Sequence, residues 1–210
     1  DGKNQVWVAA SGGSNWGGCN VWASLDNTTY EMIGTIYGSA RYGQLVTAIN
    51  ASTSSMQVQL NTSSQIFSGT SEDAQVNTTL CRVGDEYVSY VEATLNGSGL
   101  YTLGGVLRGR FDDALAHNAG ESFVRIDKAI FQHEFNSNLI DKTIYLKFTS
   151  FNGLQQKEQT LDEVTAYSHT LNGGRPSGVK GLSLQSPFVG MSFKVQWQPA
   201  YGAESYVVQI

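Results

Sequence analysis

The densest run of reactive side chains in this chain is LRGRFDDALAHNAGESFVRID, residues 107–127. It brings Arg108, Arg110, Asp112, Asp113, His117 and Glu121 into one short segment. Carboxylates beside an imidazole can move protons or hold a metal ion, but the spacing argues against both. Adjacent aspartates on a strand point to opposite faces. His117 and Glu121 stand one helical turn apart, yet Gly120 between them disfavours a helix. The other histidines, His133 and His169, are remote. The preferred reading is structural. Leu107 ends a strand, Gly109 lets the chain turn, and Arg108 and Arg110 lie close to Asp112, Asp113 and Glu121. Arg–carboxylate pairs then clasp a loop whose ends re-enter a sheet. No residue is assigned a catalytic, metal-binding or cofactor-binding role. G-x-S-x-G, H-E-x-x-H and P-loop patterns are absent from the sequence. The glycine-rich GSGLYTLGG sits in a hairpin rather than before a helix, so it is no phosphate cradle.

A second candidate is Trp16, set among glycines in SGGSNWGGCNVW. Exposed, its ring can stack on a sugar; folded back, it caps a sheet edge, and the second reading is preferred. Cys19 and Cys81 are too few for a disulfide framework and read as buried thiols rather than a pair. Asn-x-Ser/Thr triplets at Asn27, Asn50, Asn61, Asn77 and Asn96 are what a chain rich in Ser, Thr and Asn produces by chance.

The elements that must position these residues are β almost throughout. SMQVQLN alternates Met56, Val58 and Leu60 with polar residues; KTIYLKF does so with Ile144, Leu146 and Phe148; SFKVQWQ with Phe193, Val195 and Trp197. Gly84-Asp85 and Asn96-Gly97 mark turns that suggest a three-stranded meander over 78–107. QVWVAA and CNVWASL flank a glycine-rich loop, as in another hairpin. One or two helical turns fit 41–49, 111–118 and 159–167, and the last fits equally well as a loop leading into a strand. Gly, Pro and Ser concentrate at 172–178, as in a linker. The expected fold is mainly β, with antiparallel sheets forming sandwich- or barrel-like modules and little helix. The expected units are 1–128, a β-rich connecting segment 129–174, and a further module beginning at 175.

Composition narrows the function classes. The 210 residues are 40% hydrophobic and 15% charged, enough for a sizeable core and too little charge for a disordered polyelectrolyte. Net charge is −5 and basic residues never run together, which argues against nucleic acid as a partner. With no long apolar run, membrane insertion by a helix is not expected. Asp1 at one end and Ile210 inside an apparent strand at the other suggest a piece of a longer protein.

Two segments together carry a resemblance. NWGGCNVWASLDNTTYEMIG (15–34) and LYTLGGVLRGRFDDALAHNAGESFVRID (100–127) resemble the tail-tip, or host-specificity, proteins of long-tailed bacteriophages and gene transfer agents. Trp16, Gly17, Gly18, Cys19, Val21 and Trp22 match a W-G-G-C-x-V-W-like segment of that family. Leu107 to Arg110, His117, Gly120, Glu121, Phe123, Val124 and Asp127 match its L-R-G-R … H-x-x-G-E-x-F-V-x-[IL]-D run. The Phe-Asp-Asp after L-R-G-R departs from it, where a small or basic residue and a Gly-Thr-like turn are usual. DKTIYLKFTSFNGLQQKEQTLDEVTAYSHTLNG resembles the strand-rich piece that precedes fibronectin type III repeats in such proteins. The start of such a repeat is suggested by Pro176, Gly181-Leu182, Trp197, Pro199 and Tyr206; its 35 or so residues are too few for a complete sandwich. The resemblance implies a structural component of a tail tip or baseplate hub, without enzymatic activity or cofactor. Its implied partners are other tail proteins, two further copies of the full-length chain in a homotrimer, and a host receptor or glycan contacted through other domains. Its implied location is the virion tail tip, after synthesis in the bacterial cytoplasm. The alternative from a different class is a carbohydrate-binding β-sandwich of a secreted bacterial protein, with Trp16 as its contact residue.

Overall fold

Alternating apolar residues become the inner faces of antiparallel sheets. The computed structural model describes residues 4–13, 15–61, 64–153 and 157–172 in full, and 180–189 and 192–198 as paired backbone. Strands β1 (Gln5–Val8), β2 (Trp16–Ser24) and β3 (Glu31–Ile36) come first, then β4 (Tyr42–Leu45) and β5 (Ser55–Leu60). They are followed by β6 (Cys81–Val83), β7 (Glu86–Val88), β8 (Glu92–Gly97), β9 (Leu100–Gly104) and β10 (Ser122–Arg125). The series closes with β11 (Phe131–Glu134), β12 (Thr143–Asn152), β13 (Tyr167–Thr170), β14 (Lys180–Val189) and β15 (Ser192–Gln198). A curled, half-barrel sheet has the order β7-β6-β10-β4-β5-β9-β8. A four-stranded sheet has the order β13-β12-β2-β3, while β1 pairs with β11 and β14 with β15.

Each large sheet has its own core. In the curled sheet Leu45, Met56, Val58, Val83, Leu103 and Phe123 are buried together. In the four-stranded sheet Cys19, Val21, Ile36, Ile144, Leu146 and Leu171 are buried with Val6 of β1. β1 pairs with β11 and β2 with β12, so strands from before and after residue 128 share sheets. Both cysteines are free and buried, one in each core, and burial pushes the Cys19 thiol up to about 11.

The mainly β, antiparallel expectation holds, and four local expectations change. The stretch 78–107 is not a plain three-stranded meander: β6–β7 and β8–β9 are two hairpins at opposite ends of the sheet's strand order, joined by an antiparallel bridge between Ser89 and Leu107. The Gly84-Asp85 turn forms as expected, with Gly84 at φ +53°, whereas Asn96 and Gly97 end β8 and the second turn falls at Ser98-Gly99, with Gly99 at φ +69°. β1 and β2 are not a hairpin, because β1 pairs with β11. Residues 41–49 form β4 and then bends, and 111–118 form bends, since in both places the backbone bonds across to a neighbouring strand rather than within a helix. At 159–167 a short 3-10 helix, Leu161–Glu163, leads into β13.

The one α-helix among the described residues, Ser71–Gln75 (α1), was not anticipated. Thr70 caps it, accepting from Asp73 N while Asp73 Oδ2 accepts from Thr70 N at 2.9 Å. Pro176, Pro199 and Tyr206, which carry the fibronectin likeness, lie outside the described residues. Gly181, Leu182 and Trp197 fall on β14 and β15, described by backbone pairing alone. Among the described residues no helix is long and apolar enough to cross a membrane.

Candidate functional site

The loop 107–121 closes on a residue outside it. Glu86 opens β7, and its carboxylate is 1% exposed. Its Oε1 accepts from Arg108 Nε (2.9 Å) and Gly109 N (2.7 Å). Its Oε2 accepts from Arg108 Nη2 (2.7 Å) and Leu115 N (2.9 Å), and lies 2.9 Å from His117 Nε2. Burial pushes this carboxyl up, but the bonds from Arg108, Leu115, Gly109 and His117 outweigh it and hold the group at about 2. Arg108 also donates to the carbonyls of Asn50 and Leu115, both at 2.6 Å.

His117 is buried, and its Nδ1 lies 2.8 Å from Glu121 Oε2. Both ring nitrogens thus face carboxylate oxygens, and only the doubly protonated ring donates to both. Asn118 N donates to Glu121 Oε1 at 2.6 Å, and with His117 it lowers the Glu121 carboxyl. The i,i+4 pair forms without a helix: Gly120, at φ +87°, turns the chain between the two residues.

The clasp expected among Arg108, Arg110, Asp112, Asp113 and Glu121 is therefore built differently. The carboxylate gripped by Arg108 is Glu86, and Glu121 holds His117 instead. Arg110 donates to Asn77 Oδ1 and to the Gln75 carbonyl, both at 2.6 Å, and so ties the loop to the end of α1. Asp112 and Asp113 are exposed. Gly109, at φ +58°, leaves no room for a side chain: a Cβ there would lie 2.6 Å from the Asp112 carbonyl oxygen. Downstream, Phe123 is fully buried and Asp127 pairs with Arg41 at 2.7 Å. Among the described residues no group of three His, Cys, Asp or Glu is placed to hold a metal ion.

The residue that sequence reasoning missed was Glu86. Glu86, Val88 and Tyr90 share one face of an alternating run, and Val88 and Tyr90 are core. A carboxylate at the first position of that face needs a cation, and that signal stood in the sequence.

The first motif is equally structural. Cys19 and Val21 face the core. A Cβ on Gly17 would lie 2.6 Å from Gly153 N, and one on Gly18 2.3 Å from the Ile36 carbonyl oxygen. Trp22 Nε1 donates to buried Thr149 Oγ1 (2.8 Å), which donates to Glu158 Oε1 (2.6 Å). Asn20 Nδ2 donates to the same Glu158 oxygen at 2.8 Å.

Trp16 is half-buried, its Nε1 donating to Ser150 Oγ at 3.1 Å. It packs on the core of the four-stranded sheet and lies between two clefts of about 640 and 600 Å³. The clefts share Trp16, Ser150, Gln159 and Glu163, so they form one groove.

Residues 31–124 match the family described as Rcc01698-like, C-terminal. That span takes in β3 to β9 and ends within β10, and it includes Glu86, Arg108, His117 and Glu121. No curated protein matches the chain.

Proposed function

We propose that this chain is a structural, non-enzymatic module of a phage-type tail tip or baseplate hub, serving tail assembly and host attachment. The observation that carries the reading is the closure of Glu86. Arg108 and His117 of the second motif are spent on the buried Glu86 carboxylate, which also takes two backbone N–H groups, so both its oxygens are engaged within the protein and the loop between strands is fixed. The order of the two motifs, their likeness to tail-tip proteins and the strand-rich segment after them support the same reading. In it the neighbours are other tail proteins, the full-length chain assembles as a trimer, and the protein resides at the virion tail tip.

The test is immunogold electron microscopy with antibody raised against this chain, on particles induced from the source culture. Gold at one end of phage-like tails is the expected result. Gold on cell envelopes or in the medium, with tails bare, would reject the assignment.

A further inference from the structure

The groove beside Trp16 belongs to neither the clasp nor the sheet cores, and its chemistry is specific. Aromatic rings line it from end to end. Phe151 lies in one cleft, Trp16 at the junction, and Phe148, Tyr42 and Tyr167 in the other. The Phe148 and Tyr167 rings are 5.8 Å apart, and Tyr167 is 61% exposed. The polar side chains along it are mainly planar: Glu158, Gln159 and Glu163.

Glu158 uses Oε1 for both Thr149 and Asn20, and among the described residues Oε2 receives no hydrogen bond. Gln159 Oε1 accepts from Ser150 N at 3.1 Å, which leaves its amide N–H groups to donate. The core network therefore holds an acceptor and a donor in place on adjacent residues.

We propose that this groove binds a neutral oligosaccharide in extended form. Pyranose rings present flat C–H faces that stack on aromatic rings, and hydroxyls at their edges that both donate and accept. Each cleft has the volume of a small-molecule site, and two joined clefts suit several sugar units better than one. The charge balance is two carboxylates, Glu158 and Glu163, against Lys157, which disfavours acidic sugars. A proline-rich peptide also fits aromatic grooves, but its backbone offers carbonyl acceptors, and carboxylates at the rim need donors. The site lies on this chain itself and is independent of the tail-tip assignment.

The experiment is titration of the isotope-labelled protein with cellohexaose, maltohexaose and chitohexaose, following the Trp16 indole N–H resonance by NMR. A saturable shift of that resonance with at least one of the three is expected. In Glu158→Gln the carbonyl still serves Thr149 and Asn20, while an N–H₂ replaces the open oxygen. This variant should keep its core amide resonances and bind about tenfold more weakly, a loss of about 1.4 kcal/mol. Absence of any Trp16 shift up to about 5 mM sugar, near the weak end of specific recognition, would overturn the proposal. So would saturable binding unchanged in Glu158→Gln, or a Trp16 shift given by decaproline and by none of the sugars.

Discussion

Glu86 and Glu158 are both held by hydrogen bonds, the first in the curled sheet and the second beside the four-stranded sheet, and they are held to opposite ends. Glu86 takes bonds on both oxygens from Arg108, His117 and two backbone N–H groups, inside the protein. Glu158 takes bonds on one oxygen, from the neutral donors Thr149 and Asn20, at the surface. A buried charge is stable only when its acceptor capacity is filled by protein. An exposed one can leave capacity to solvent or ligand. Glu86 has thus spent its acceptors on closing a loop, while Glu158 keeps one in reserve.

The largest way to break that contrast is Arg108→Ala. It strands a carboxylate that is 1% exposed, and should cost about 3–5 kcal/mol of unfolding free energy. Urea unfolding of the variant measures this; a loss below about 1 kcal/mol would mean that solvent already reaches Glu86. The double variant Glu86→Ala/Arg108→Ala should lose less than the sum of the single losses, since the pair is shared. It should not return to wild-type stability, because Gly109 N and Leu115 N lose their acceptor.

Acid should act in the same direction. Glu86 is held at about 2 in the folded chain, below the carboxyl's ordinary value of 4.5, and Glu121 is also lowered. A depressed folded value means that the unfolded chain binds protons first as pH falls. The stabilisation is thus fully present above about pH 4.5 and is lost progressively toward about pH 2. Urea midpoints should fall across that window, and a flat profile would contradict the clasp.

Much of the strand content was legible because alternation is local. Met56, Val58 and Leu60 on β5, and Ile144 and Leu146 on β12, are buried as their period-two spacing indicated. What was not legible was non-local. β1 finds its partner in β11, and the hairpins β6–β7 and β8–β9, neighbours in sequence, lie at opposite edges of the curled sheet. The clasp was half legible for the same reason. Arg108, His117 and Glu121 announced themselves by type and proximity, whereas Glu86 lies on another strand and showed itself only as a charge on an otherwise apolar face. Trp16 begins an interior strand, bonded to Ser150 and packed on the core of the four-stranded sheet, and the groove beside it needed three dimensions to be seen.

On the four-stranded sheet the polar contacts are neutral donors on a surface acceptor, and smaller effects are expected. Thr149→Val keeps the shape but removes the acceptor of Trp22 Nε1 and one donor to Glu158. The loss should be about 1–3 kcal/mol, because the Trp22 N–H is left without its partner. Hydrogen exchange of the Trp22 indole N–H measures the same event locally and should accelerate. An unchanged rate would mean that the Thr149 bond does not protect it.

The smallest effect separates the two arginines of the clasp. Arg108 and Arg110 stand two apart and look equivalent in sequence, but Arg110 donates to the neutral acceptors Asn77 Oδ1 and the Gln75 carbonyl. Removing it leaves no buried charge behind, only a carbonyl and an amide oxygen. Arg110→Ala should therefore cost about 1 kcal/mol, the net worth of ordinary hydrogen bonds, against several for Arg108→Ala. Because its two acceptors lie at and just beyond the C-terminal end of α1, the loss should appear first as faster amide exchange over 71–77. If the two variants melt together, burial of charge is not what distinguishes them, and the clasp is held by its backbone hydrogen bonds alone.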